Sequence, residues 1–297
     1  MSRLPFRLTA LLIALVGLAL VFFVRVRPWY LSWGATATEL TRTLPGDDIV
    51  GPQAGQETRA ITIGAPVEVV WPWLAQLGQD RGGFYSFDLL ENLVGCRMPI
   101  DDALHPDRQE WALGDRLWMY PADRAGGAGF ATLRVYTPGR ALGFATRMTG
   151  TPLDAPENGS WSFALEPAGP TSTRLLVRGR GTSTRSLVAT AFDRSVFEPL
   201  HYAMERRMMI GLKEIAESGT RHRLANHVQV LLWTLTFVMV LVGAARVVIG
   251  WRWMASLVLF VTAASAFELL TLVQPPLWVG VPTVLLLGLM VAYAPDR

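Results

Sequence analysis

Val196-Phe197-Glu198-Pro199-Leu200-His201-Tyr202-Ala203-Met204-Glu205-Arg206-Arg207-Met208-Met209-Ile210-Gly211-Leu212-Lys213-Glu214-Ile215-Ala216-Glu217 is the stretch on which the fold turns. Phe197, Leu200, Met204, Met208, Leu212 and Ile215 recur at helical spacing and make one apolar stripe, while Glu205, Arg206, Lys213, Glu214 and Glu217 fall elsewhere. A helix of about 20 residues is ~30 Å long, enough to cross a whole sheet and bury that stripe on it. Ser195 to Glu198 has the pattern of a capping box, with Pro199 the competing first helical residue.

Working outward, the preceding texture is that of strands. Arg116–Tyr120, Phe130–Tyr136, Ala141–Met148, Gly159–Glu166 and Ser172–Arg180 are separated by turns such as Thr137-Pro138-Gly139 and Pro167-Ala168-Gly169-Pro170. Hairpin spacing predicts an antiparallel sheet. A further strand, Arg59–Ile63, comes earlier, followed by a helix whose Val67, Val70, Trp71, Leu74 and Leu77 share a face. Pro72 should kink it. Ser86–Val94 reads as a short helix, and residues 30–58 as a turn-rich linker that lies along the membrane or wraps the domain.

The ends of the chain are different. Of the 297 residues 51% are hydrophobic, and the excess is concentrated in four runs: Leu8–Val24, Val228–Ala245, Trp253–Val273 and Leu277–Ala294. Each is near the ~20 residues that cross a bilayer. Arg25 and Arg27 follow the first run, which favours a retained anchor over a cleaved signal. Trp233, Trp251, Trp253 and Trp278 lie at or near the ends of the others, as in an interfacial belt. The expected organisation is therefore a transmembrane anchor (1–29), a linker (30–54), a soluble domain (55–222) and a three-helix transmembrane region (223–297). The arginines flanking the domain point it towards the cytoplasmic side of an inner or plasma membrane.

The net charge of +3 does not indicate nucleic acid. Residues 30 to 223 carry 20 basic and 22 acidic side chains; the remainder carries 7 and 2. The positive charge belongs to the membrane flanks, where it meets anionic headgroups. Cys96 is the only cysteine, so a disulfide within the chain and a thiolate metal cluster are excluded. No metal or cofactor is expected: His105, His201, His222 and His227 have no ligand spacing, and no nucleophile-elbow or phosphate-loop motif occurs.

Ala65-Pro66-Val67-Glu68-Val69-Val70-Trp71, Asp80-Arg81-Gly82-Gly83-Phe84-Tyr85-Ser86 and the later Glu205-Arg206-Arg207 resemble the SRPBCC superfamily (START/Bet v 1-like), in particular its bacterial polyketide cyclase/dehydrase-like branch. The resemblance covers about 160 residues and implies an α+β helix-grip fold: a curved antiparallel sheet on a long C-terminal helix, enclosing a cavity for lipids, sterols, polyketides or aromatic molecules. It carries no universal catalytic set, and the membrane helices lie outside its pattern.

Three readings follow. The first is binding of an apolar small ligand or lipid, with Trp71, Tyr85, Asp88, Trp118, Arg147, Trp161, Arg178, Met204 and Met208 as candidate lining residues. The second is a cyclase, dehydratase or hydrolase using Tyr85, Asp88 and Glu91; on a helix Asp88, Glu91 and Asn92 share a face, and desolvation would raise a carboxyl there. The third is a scaffold with a filled cavity. Arg178 and Arg180 share one strand face, able to hold an anionic headgroup if that face lines the cavity. Glu268, about 15 residues into its run and so ~22 Å deep, is an intramembrane carboxylate and hence a functional candidate.

Overall fold

A computed structural model of the chain describes residues 4–124, 129–147, 156–182, 186–250 and 252–293. The chain forms two compact units: Tyr30–His222, and Met1–Trp29 together with Arg223–Arg297.

Unit Tyr30–His222 is α+β. Its strands are β1 (Gly55–Ile63), β2 (Arg116–Trp118), β3 (Phe130–Thr137), β4 (Ala141–Thr146), β5 (Gly159–Gly169) and β6 (Ser172–Gly181). They form one antiparallel sheet of order β1-β6-β5-β4-β3-β2. From β2 onward each strand pairs with its successor; β1, the first made, adds beside β6, the last. Met148, expected to end β4, lies outside the described residues.

The two faces of the sheet separate by the two-residue period of a strand. Trp161, Phe163 and Leu165 of β5, Leu142 and Phe144 of β4, Leu133 of β3 and Val177 of β6 are buried on the inner face, in one cluster with Met208, Met209, Leu212 and Ile215. Those last four belong to the longest helix of this unit. The helices of the unit are α1 (Ala37–Thr41), α2 (Val67–Ala75), α3 (Asp88–Leu93), α4 (Leu187–Phe192) and α5 (Glu198–Ser218). Gly211 lets α5 approach the Tyr85 backbone, since a Cβ there would stand 2.0 Å from the Tyr85 carbonyl oxygen.

The start of this helical stretch differs from the sequence expectation. Ser195 caps nothing; it lies in a π-helical turn, Asp193–Phe197, that joins α4 to α5. The cap is Ser186, whose hydroxyl accepts from the Ala189 N–H. The helical path thus begins at Leu187 rather than near Val196. Pro72 sits inside α2, which continues through it to Ala75.

Residues 30–54, read as a linker, are a strap on the outer face of the sheet. Leu44 packs with Ala60, Ala164 and Leu176, and α1 is held by a capping box between Thr36 and Glu39. Gly46, at φ +91°, runs against β5: a Cβ would meet the Ser162 hydroxyl at 2.2 Å.

The second unit carries the apolar helices. Among the described residues three are long and apolar enough to cross a membrane: Leu4–Leu31, Arg223–Ile249 and Trp253–Val273. Four were expected. The fourth, Leu277–Ala292, is apolar but shorter, and has Pro282 within it. Within this unit Trp233 donates its indole N–H to the Leu270 carbonyl at 2.8 Å. Glu268 closes the regular α-helix Trp253–Glu268, five residues before the end of its span, and is half-buried.

Candidate functional site

The inner face of the sheet carries one charged group deep in its apolar cluster. Arg59 of β1 and Glu205 of α5 meet at 2.6 Å, each side chain only 1% exposed. The second Glu205 oxygen accepts the Trp161 indole N–H at 2.7 Å. Arg59 also binds Glu57 at 2.7 Å and the Tyr30 carbonyl at 2.9 Å, and lies 5.0 Å over the Tyr202 ring. Burial alone would raise the Glu205 carboxyl; the Arg59 charge and the hydrogen bonds from Arg59 and Trp161 outweigh it and hold the carboxyl below its usual range. Burial pulls Arg59 down and its two carboxylates more than reverse that, so it stays a cation.

From this group an aromatic run leads outward. Phe163 packs on Trp161 at 4.7 Å between ring centres, Trp161 meets Phe84 at 6.2 Å and His201 at 5.8 Å, and His201 stacks on Phe197 at 5.9 Å. Exposure rises along it, from 0% at Phe163 through 8% at Trp161 to 43% at Phe197. Met204 is half-buried beside it, its carbonyl accepting from the Ser86 hydroxyl, and Met208 is buried deeper along α5. Glu57, His201 and Glu205 also place ligand-type atoms within 4.8 Å of one another. The Arg59 guanidinium already bridges the two carboxylates, and a metal cation there would have to share them with it.

A second group lies around α3. Arg221 reaches Asp102 at 2.7 Å and Asp88 at 3.9 Å, and stands 5.5 Å over the Tyr85 ring. Burial, with Asp88 adding repulsion, pushes the Glu91 carboxyl up to about 7. Tyr85, at φ +55°, turns its hydroxyl away to the Trp73 carbonyl at 3.1 Å, and burial raises it above its usual range. Asp88 and Glu91 are therefore neighbours, while the Tyr85 hydroxyl points elsewhere. Trp71 stacks on Tyr136 at 6.3 Å.

Trp118, Arg147 and Arg178 stand apart from the inner-face set. Trp118 pairs across strands with Phe130, and Phe130 and Arg147 line an open groove of about 830 Å³ with Arg116, Arg134 and Glu157. Thr132 and Arg134 both bind the Glu157 carboxylate there. Arg178 is on the outer face under the strap: it binds the Thr58 hydroxyl, the Asp47 carboxylate at 2.6 Å and the Arg42 and Glu39 carbonyls. Arg180 also binds the strap, at the Asp47 carbonyl. Neither faces the long helix.

Arg59 and Glu205 are the residues that sequence reasoning passed over. Glu205 was set among the charges off the apolar stripe, yet it is three residues from buried Tyr202 and three from buried Met208. A carboxylate in phase with an apolar stripe is the signal that finds it.

Fold and site together define an α+β domain with a buried charged pair in an apolar interior, on a chain with three membrane-length helices. No protein-family model matches the sequence, and no curated protein does. Solved structures similar to the chain include a protein from Mesorhizobium loti (18% identity, 56% of this chain and 100% of that one, TM-score 0.31). Another is from Nitrosospira multiformis (16% identity, 56% of this chain and 98% of that one, TM-score 0.32). A third is an AHSA1-like protein from Rhizobium etli (16% identity, 57% of this chain and 86% of that one, TM-score 0.28).

Proposed function

We propose that this chain is a membrane-anchored binding protein whose domain, a helix grip of the SRPBCC type, holds an apolar small ligand between the inner face of the sheet and α5. The ligand class is a lipid, isoprenoid or polyketide-like molecule. The observation that carries this reading is the aromatic run from exposed Phe197 through His201 and Trp161 to buried Phe163. Binding sites for such molecules are mostly apolar with a few convergent polar groups. Here His201 and the Glu205–Arg59 pair are the polar groups, placed to orient one end of the ligand. The domain is assigned to the cytoplasmic face.

Native mass spectrometry with lipid extraction, on the full chain in mild detergent, tests this. A defined co-purifying apolar molecule is expected, displaced by N-phenyl-1-naphthylamine, and a Trp161→Ala chain should lose most of it. A chain that emerges empty and does not take up the naphthylamine probe overturns the reading. Turnover is a second reading, favoured by the raised Glu91 carboxyl beside Asp88: Glu91 would act as the acid near neutral pH. Conversion of the co-purified molecule by the natural chain but not by Glu91→Gln is its test.

A further inference from the structure

The helical path leading into α5 carries an apolar stripe that no described residue of the domain covers. Val188, Phe192, Val196 and Leu200 follow one another at intervals of four, and so share a face. They are 80%, 51%, 48% and 56% exposed, with Leu187 beside them at 87%. Soluble surfaces scatter such residues singly; a continuous stripe marks a docking face.

The position of the stripe selects its occupant. Tyr30 donates its hydroxyl to Glu198 at 2.5 Å and stacks on Tyr202 at 5.0 Å, so the first turn of α5 is fixed to Tyr30. Tyr30 in turn lies in the last turn of the apolar helix Leu4–Leu31. About 20 residues cross the hydrocarbon core, so in a 28-residue helix the Trp29-Tyr30 pair comes out at headgroup level, where amphipathic aromatic rings concentrate. Glu198 is tied to Tyr30, the next residue in the chain after Trp29, and the stripe runs back from Leu200 beside it.

We infer that Leu187–Leu200 is a membrane-surface helix, its Val188, Phe192, Val196 and Leu200 face seated at the headgroup–acyl boundary of the bilayer that the chain spans. Helices of this kind bury an apolar face ~5–10 Å into that boundary. The polar face, with exposed Arg194, stays in water. The π-helical turn Asp193–Phe197 lies within the stretch and allows the stripe to turn with the surface. The inference does not require the domain to hold a ligand; if it does, Phe197 places the outer end of the aromatic run at the lipid.

The test uses the full chain in nanodiscs holding one copy each. Single cysteines at Val188, Phe192, Val196 and, as a control, Arg194 carry a bimane label; Cys96 is buried and is spared under native labelling. Quenching by phospholipid spin-labelled near the headgroup is compared with quenching by aqueous iodide. At 188, 192 and 196 the lipid-borne quencher is expected to win by ~3-fold or more, with the reverse at 194, as an interfacial helix requires. Iodide reaching 188, 192 and 196 as readily as 194 overturns the inference. Protection of those three positions from both quenchers overturns it too, because the stripe is then covered by protein. A ligand-free chain that still gives the lipid pattern separates this inference from the binding reading.

Discussion

Glu205 and Arg59 pair where water does not reach, and removing Glu205 leaves Arg59 with only the less buried Glu57. Glu205→Ala is expected to cost ~3–5 kcal/mol, the usual scale for breaking a buried pair. The joint Arg59→Met, Glu205→Met replacement should recover much of that loss. Unfolding of the full chain in detergent, followed by near-ultraviolet circular dichroism, distinguishes the two; a Glu205→Ala chain as stable as the natural one would remove the pair as the link between β1 and α5. The Glu205 carboxyl lies below its unfolded value of 4.5. Its contribution is thus present above that pH and lost as the pH falls below it. Glu91 has the opposite sign: its folded value, about 7, lies above 4.5. The stability it contributes is full below pH 4.5 and is lost as the pH rises through about 7. Glu91→Gln stays neutral, so it should leave the melting temperature unchanged in acid and raise stability by on the order of 1 kcal/mol above neutrality, where the natural residue ionises. A chain in which that gain is independent of pH would contradict this. At this scale the sequence revealed residue types but not facing. Tyr85 and Asp88 were found, yet the Tyr85 hydroxyl bonds the Trp73 carbonyl from a backbone at positive φ, which no spacing shows.

At the scale of elements, the strands were legible from short apolar or alternating runs bounded by turn residues at hairpin spacing, a local signal. The long helix was legible from a local signal too. Its apolar stripe, however, has two halves with different partners: Met208, Leu212 and Ile215 face the sheet, while Leu200 and Phe197 are exposed. Periodicity reports a face and is silent on what covers it. The strap was legible only as a turn-rich linker that lies along the membrane or wraps the domain, with nothing to choose between the two. Residues 30–54 are turn-rich, and their fixation comes from Arg174, Arg178 and Arg180 on a distant strand. Arg178→Ala should therefore free the strap, with amide exchange over residues 36–50 rising at least ~10-fold, the response of a locally released segment, and the sheet core unchanged. Unaltered exchange there would mean that Leu44 and α1 hold the strap without the arginine.

For the whole molecule, apolar run length made the membrane helices legible, and it overcounted by one because Leu277–Ala292 is shorter than the other three. The sidedness assignment is tested with a cysteine at Leu113, which is 69% exposed. A membrane-impermeant maleimide should leave it unlabelled in intact cells and label it in inverted vesicles; labelling of intact cells would move the domain to the outside. The strap also has a consequence in time. It leaves the ribosome directly after the first membrane helix, but Arg178 follows Glu39 by 139 residues and Asp47 by 131. At ~5–20 residues per second, synthesis of that interval takes roughly 7–28 s. Throughout it the strap lacks the arginine that binds Glu39, Arg42 and Asp47, and β1 waits for β6. The outer face is thus begun first and closed last, and a chain arrested before Arg178 holds an unfastened strap beside the membrane.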